Sequence, residues 1–159
     1  MNRFRSATSI ALALFAVMQV AGLAAAGEYV PFKGKLQGEV TTTPVPPLVM
    51  VDIVATGNAT HLGRLTLNVP HVVDPATRMA VGSYQFTAAN GDVLYADFTG
   101  QATPTETAGV LYIEETATIT GGTGRFAGAT GSFVAERFYD IVAGTTIGSF
   151  EGTISTAGS

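Results

Sequence analysis

The sequence predicts an all-β protein that closes into an eight-stranded antiparallel barrel. Nearly every segment after residue 26 alternates apolar and polar side chains with a period of two, as half-buried strands do. No segment there has a convincing helical period, and the connections are of hairpin length. Closing the sheet on itself would remove the exposed edges of eight short strands. A two-sheet β-sandwich is the alternative.

The first 26 residues have the features of a secretory signal peptide. Arg3 and Arg5 give a basic start, residues 10–23 form an apolar run, and three alanines at 24–26 offer a cleavage site of the A-x-A type. The run is shorter than the ~20 residues that a membrane span needs, so an uncleaved anchor is the less favoured alternative. We therefore expect export to the periplasm or the extracellular space, with residues 27–159 as a single β-barrel domain.

The composition argues against several classes of function. The chain has eight Lys and Arg against twelve Asp and Glu, and loss of Arg3 and Arg5 leaves six against twelve, a net charge of −6. No basic run is present, so nucleic acid and anionic membrane surfaces are not expected partners. Cysteine is absent, which excludes thiol catalysis and iron–sulfur centres. Neither histidine has a partner at metal-ligand spacing, and we expect no metal and no other cofactor.

The alternation also places the strands along the chain. They are residues 32–40, 49–57, 60–69, 80–87, 94–98, 111–119, 133–141 and 147–154. Residues 41–47 contain three prolines and are predicted to be a loop, because proline cannot hold a central strand. Residues 70–77 are predicted to be a turn, which Asp74-Pro75 marks.

One hairpin has a register that the sequence predicts. A three-residue loop, Ala89-Asn90-Gly91, with Gly91 in the left-handed conformation sets Phe86 opposite Leu94 and therefore apolar against apolar. A two-residue Asn-Gly turn would shift the register by one and place polar residues on the apolar face, so the longer loop is favoured.

A loop with five glycines separates the seventh and eighth predicted strands. Glycines allow positive φ and close backbone approach. Those of this loop are Gly121, Gly122, Gly124, Gly128 and Gly131, and its central aromatic residue is Phe126. We expect the chain to fold back tightly here, with Phe126 closing one end of the barrel. The spacing is not that of a nucleotide-binding loop, and a strand follows where a phosphate-binding helix would be required.

Residues 121–131 resemble the glycine-rich hairpin shared by dirigent proteins and allene oxide cyclases. They are more similar to the bacterial exported proteins grouped with them as allene-oxide-cyclase-barrel-like, as are residues 59–64 and 148–154. The resemblance implies a calycin-like barrel over almost all of residues 27–159. It also implies a cavity that binds reactive apolar intermediates and steers their cyclisation or coupling, often in a trimer. It assigns no catalytic residue to this chain.

Several polar residues fall on otherwise apolar strand faces and would point into a closed barrel. The predicted ligand-binding set is His61, Tyr84, Glu115, Arg137 and Tyr139. Among them His61 and Glu115 are the catalytic candidates, since an imidazole can exchange a proton near neutral pH. The sequence has no G-x-S-x-G nucleophile elbow, so a catalytic serine triad is not expected.

Glu115 and Arg137 are predicted to form a buried ion pair. Aligning Ile119 with Phe133 places Glu115 directly opposite Arg137, so that each charge satisfies the other in a medium of low dielectric constant. A one-residue slip would instead turn Arg137 to solvent and bring in Glu136. The pair, with His61, either fixes the register and fills space or anchors the polar end of an apolar ligand.

Three functions are compatible with these features. The first is a barrel that binds a small apolar ligand in its lumen. The second is a cyclase or dirigent-type isomerase in which the shape of the pocket guides a reactive intermediate. The third is a non-catalytic structural or interaction module with a packed interior, whose outer face mediates assembly. A homo-oligomer, dimeric or trimeric, is a possible state in each case.

Overall fold

The computed structural model describes residues 27–156, and the predicted signal peptide lies outside them. The described strands are β1 (Val30–Val45), β2 (Leu48–Ala59), β3 (Gly63–Asn68), β4 (His71–Asp74), β5 (Met79–Ala88), β6 (Val93–Pro104), β7 (Val110–Gly122), β8 (Thr130–Asp140) and β9 (Thr145–Ser155). One turn of 3₁₀-helix, Gly124–Phe126, lies between β7 and β8. No helix within residues 27–156 is long and apolar enough to cross a membrane.

The strands form a closed antiparallel barrel. Except for β3 and β4, each strand pairs with its neighbour in sequence, and β1 pairs with β9 from Val30 opposite Ile154 to Glu39 opposite Thr145. β3 and β4 both pair with β2 and with β5, so they occupy one strand position. The barrel therefore has eight strand positions, which confirms the predicted fold class and rules out the sandwich. The hairpin register set by Gly91 is confirmed, with Phe86 opposite Leu94.

The prediction that residues 70–77 form a turn is wrong over its first half, where β4 lies. The inward alternation of Leu65, Leu67 and Val69 continues through His71 and Val73, although Pro70 interrupts the strand. Proline lacks an N–H donor but keeps its carbonyl, and Pro70 accepts a hydrogen bond from the Ser83 N–H at 3.2 Å. The proline therefore breaks the ladder at one residue and does not redirect the chain.

The prediction that residues 41–47 form a loop is also wrong, because β1 and β2 stay paired as far as Val45 and Leu48. Only Pro46 and Pro47, joined by a cis peptide bond, make the turn. β1 leaves β9 after Glu39, so its far half has one free edge. The Val40 N–H points to that side, toward the Gly144 carbonyl, and backbone groups two residues apart point the same way. Pro44 thus lacks a donor only on the free edge, which a strand tolerates.

Aromatic rings fill the middle of the barrel. They are Phe32, Tyr84, Phe86, Phe98, Phe133 and Phe150, and neighbouring ring centroids are 5.0 to 5.9 Å apart. The rings come from five different strands, so side chains from opposite walls meet at the axis. Burying large rings in edge-to-face and offset contacts stabilises the closed sheet beyond what its backbone hydrogen bonds contribute.

The two ends of the barrel differ. At the end of the β2–β3 turn and the glycine-rich loop, Leu62, Phe126 and Ala129 are almost completely buried, and we call this the closed end. Gly124 and Gly128 have positive φ values there, which lets the loop turn Phe126 inward. At the opposite end the inward side chains are only half-buried, and we call it the open end. Its rim consists of Val40, Val49, Val73, Ala102, Leu111 and Tyr139.

Replacing Phe126 with alanine should lower the free energy of unfolding by about 3–5 kcal/mol, because a ring that is 1% exposed leaves a cavity. The matched control is Phe138→Ala, since Phe138 is 51% exposed on the outer face and its truncation should change stability by only about 0.5 kcal/mol. Chemical denaturation followed by circular dichroism measures both. Equal losses in the two variants would contradict the placement of Phe126 in the core.

Candidate functional site

Polar side chains gather inside the barrel between the aromatic rings and the open end. Among the described residues, the buried ones are Tyr84 of β5, Glu115 of β7, Arg137 of β8 and Thr146 of β9, with His71 of β4 beside them. We call these five residues the polar cluster. Five strands around the barrel contribute one residue each, so the cluster exists only when the barrel is closed.

Glu115 and Arg137 form a bidentate ion pair at the centre of the cluster. Arg137 Nη2 donates to Glu115 Oε1 at 2.6 Å and Arg137 Nε donates to Oε2 at 3.2 Å. The Tyr84 hydroxyl donates to the same Oε2. Arg137 Nη1 donates to Thr146 Oγ1 at 3.3 Å, and Thr146 in turn donates to the Phe138 carbonyl at 2.9 Å. The carboxylate and the guanidinium are thus both compensated in the interior, as buried charges require.

The strand register differs by two residues from the predicted one. β8 begins at Thr130, so Ile119 pairs with Gly131 and not with Phe133, and Glu115 lies opposite Ala135. A shift of two residues keeps every side chain on its own face, and Arg137 therefore reaches Glu115 along the diagonal. The one-residue slip does not occur, since Arg137 is buried and Glu136 is exposed.

Glycines make room for the cluster. His71, Glu115 and Arg137 each have a glycine as cross-strand neighbour, namely Gly82, Gly100 and Gly148. A Cβ atom on Gly100 would come within 2.7 Å of Glu115 Cγ, closer than side-chain atoms pack. Because these glycines have no side chains, the neighbouring polar side chains can extend into the space beside them. The glycines on the inward faces are therefore part of the site.

Burial and charge shift the pKa values within the cluster. Burial raises the pKa of the Tyr84 hydroxyl well above its usual range, and the neighbouring Glu115 carboxylate raises it further. Burial on its own would lower the pKa of Arg137, but the Glu115 carboxylate outweighs it and the net shift is upward. Tyr84 is therefore a neutral donor and Arg137 a permanent cation at any physiological pH.

His71 is the member of the cluster that the sequence analysis missed. Its ring is 8% exposed and lies 5.6 Å from the Phe98 ring, centroid to centroid. Nδ1 is 2.9 Å from the Val69 carbonyl, which only accepts, so Nδ1 carries the proton. Burial lowers the pKa of His71, which keeps the ring neutral near pH 7. Nε2 is then a lone-pair acceptor to which no group within residues 27–156 donates, and it is accessible to solvent, since no fully enclosed side-chain N or O atom of those residues lacks a partner.

The prediction that His61 points into the barrel is wrong. β2 ends at Ala59 and β3 begins at Gly63, so His61 lies in the turn between them, exposed and with a φ of 64°. Its Nε2 is 3.0 Å from the Pro31 carbonyl on the outside of the closed end. The predicted strand 60–69 includes this turn, and in a turn the alternation of residues does not determine which face a side chain occupies. Leu62 is the residue of this turn that enters the core.

The remaining predicted residues divide between the interior and the rim. Tyr84, Glu115 and Arg137 contact one another in the cluster, whereas Tyr139 is half-buried at the open end, opposite Leu111 and Thr146. The continued alternation from Leu67 to His71 across Pro70 was the sequence signal for the missing histidine. In the described part of the chain, no three His, Asp or Glu side chains are grouped closely enough to hold a metal ion.

Comparisons with known proteins give a likeness among solved structures. No protein-family model matches the chain, and no curated protein sequence matches it. Among solved structures, the chain is similar to the pterocarpan synthase dirigent protein GePTS1, with a TM-score of 0.56 over 94% of this chain and 97% of that one. The sequence identity is 12%, so the likeness shows a dirigent-like barrel fold. The likeness says nothing about the reaction or the ligand of this chain.

Removing the charge of Glu115 should strongly destabilise the protein. Glu115→Gln leaves the Arg137 guanidinium buried without a counter-charge, which costs about 3–5 kcal/mol of unfolding free energy. The control is Glu151→Gln, because Lys33 and Glu151 form an ion pair of the same 2.6 Å length on the surface and its loss should cost at most ~1 kcal/mol. Denaturant titration of both variants measures the difference, and similar costs would contradict a buried pair.

Stability should also fall in mild acid because of His71. A histidine whose pKa is lowered on folding binds a proton more readily when unfolded, so its contribution is complete above the unfolded value of 6.5 and is lost as the pH falls below it. The free energy of unfolding, measured between pH about 7 and about 5, should drop less steeply in His71→Gln than in the parent. His61→Gln should retain the parent slope. The account fails if His61→Gln flattens the slope and His71→Gln does not.

Proposed function

We propose that the barrel binds a small, mostly apolar molecule carrying a hydroxyl group, which enters through the open end. The observation that carries this proposal is the Nε2 atom of His71, an acceptor in a nearly buried ring to which no described residue donates. No fully enclosed side-chain N or O atom of residues 27–156 lacks a hydrogen-bond partner, so this Nε2 atom is accessible to solvent and can take a partner from outside the chain. A ligand hydroxyl would be that partner.

The surroundings of His71 support a ligand of this kind. The side chain lies one inward position below Val73, and the rim above it is built mainly of half-buried apolar residues. Ligand sites are commonly apolar with a few fixed polar groups that determine orientation. Glu115 and Arg137 satisfy each other, so they would hold the site rigid and add little net charge to it.

Catalysis of the dirigent or cyclase type is the second candidate. It is favoured by the fold likeness to the pterocarpan synthase dirigent protein and by the neutral imidazole, which can take a proton from a bound hydroxyl. The barrel wall would restrict a reactive intermediate to one conformer. The cyclase version of this proposal rests on the resemblance of the glycine-rich hairpin alone.

We also propose that the protein acts outside the cytoplasm, after removal of residues 1–26. The basic start, the apolar run and the three alanines support export.

The third candidate function, an assembly module, is supported by large apolar side chains on the outer face. Among these, Phe138 and Ile147 lie opposite each other on β8 and β9 and are 51% and 60% exposed.

A pair of probes that differ only in the hydroxyl tests the binding proposal. Octylphenol should bind about tenfold more tightly than octylbenzene, because a hydrogen bond to a buried acceptor contributes on that scale. The hydroxyl preference should disappear in His71→Phe and persist in His61→Asn. Thermal shift and calorimetric titration measure the affinities, and native mass spectrometry of protein from the exporting cells reports a co-purified ligand.

The results separate the candidate functions. An unchanged preference for octylphenol in His71→Phe would remove His71 from the site. Failure of both probes to bind, together with protein that is empty as exported, would refute the binding proposal and leave the assembly module. If a substrate is found, turnover lost in His71→Phe while binding of octylbenzene is retained would establish catalysis.

A further inference from the structure

The outer surface over β1, β2, β3, β5 and β9 carries an open groove of about 780 Å³, which we call the β1–β3 groove and to which β9 contributes the exposed Ile147. Its polar side chains face outward and lie in two rows of cross-strand neighbours. The first row is Lys35, Asn58 and Arg64, and the second is Gln37, Thr56, Thr66 and Thr87. The groove is separate from the interior, because all these side chains point away from the core.

The β1–β3 groove holds most of the unpaired positive charge of the described residues. Three of the six Lys and Arg within residues 27–156 form ion pairs: Lys33 with Glu151, Arg125 with Asp92, and Arg137 with Glu115. Of the other three, Lys35 and Arg64 line the groove, and Arg78 lies in the β4–β5 turn. No acidic residue lines the groove, although acidic residues outnumber basic ones twofold within residues 27–156.

The first row can surround a single anionic group. Side chains directly opposite on neighbouring strands have Cβ atoms about 5 Å apart, so Lys35 and Arg64 start about 10 Å apart with Asn58 between them. Their long side chains can lean toward each other over Asn58. An ammonium, a guanidinium and an amide N–H would then donate to one carboxylate or sulfate.

The second row indicates what the anionic group is attached to. Its hydroxyls and its amide both donate and accept hydrogen bonds, as the hydroxyls of a sugar chain do. A peptide cannot join the sheet here, because every strand beneath the groove is already paired on both sides. No aromatic side chain lines the groove, so it offers nucleic-acid bases no stacking surface.

We propose that the β1–β3 groove binds an acidic polysaccharide. One carboxylate or sulfate sits over Lys35, Asn58 and Arg64, and the hydroxyls of the adjoining sugar units contact the second row. The binding is independent of the proposed ligand of the interior. It depends on a few exposed charged contacts in an acidic protein, so added salt weakens it.

Calorimetric titration of the exported protein with polygalacturonate, dextran sulfate, neutral dextran and poly-L-glutamate (an acidic polymer without sugars) tests the proposal and distinguishes carboxylate from sulfate. We expect one or both acidic polymers to bind at low salt and dextran not to bind. Lys35→Gln and Arg64→Gln should each weaken binding about tenfold, since each removes a charge-assisted hydrogen bond. Arg78→Gln removes the same charge from an exposed position outside the groove and should change the affinity less than about twofold.

Four outcomes would overturn the proposal. These are equal binding of dextran, the same loss in Arg78→Gln as in Arg64→Gln, tighter binding of poly-L-glutamate than of either acidic polysaccharide, and no binding to any polymer. The octylphenol preference is measured on the same variants and should be unchanged in all of them. This comparison distinguishes loss of polysaccharide binding in the groove from loss of ligand binding in the interior.

Discussion

The ion pair between Glu115 and Arg137 is the constraint on which the interior of this barrel depends. Two charges with side-chain exposures of 0% and 4% are stable only if each is compensated in place. Tyr84 and Thr146 complete that compensation from two further strands. The four residues therefore link β5, β7, β8 and β9 across the lumen, and the strand order of the closed sheet is what brings them within reach of one another.

The pair also divides the barrel into two regions with different physical character. Toward the closed end, aromatic rings pack from wall to wall and Phe126 and Leu62 seal the interior. Toward the open end, the inward residues are half-buried and His71 keeps an acceptor without a donor. A barrel built this way has a closely packed, buried base and a less buried opposite end that carries a polar group. The proposed binding role of the interior rests on this asymmetry.

Much of the fold followed from the alternation of residues, and the errors occurred where backbone features override it. The period of two predicted the inward faces of most strands, the β5–β6 register and the closure, but it missed β4 and the far half of β1. It did not show that a free edge tolerates Pro44, or that Pro70 interrupts a strand without ending it. In the site, Glu115, Arg137 and Tyr84 were found as polar residues on apolar faces, whereas His61 lay in a turn, where alternation has no meaning. The β1–β3 groove depends on cross-strand neighbours far apart in sequence, and no local pattern contains it.

The most direct test of this account is the exchange of the Arg137 Nε proton with solvent, followed by ¹H–¹⁵N NMR with Arg64 as the exposed reference in the same sample. A guanidinium that donates to Glu115 inside a closed barrel should show a resolved Nε–H signal that exchanges orders of magnitude more slowly than that of Arg64. Exchange at the same rate for both arginines would mean that water reaches the pair. The buried cluster, and the site built around it, would then be incorrect.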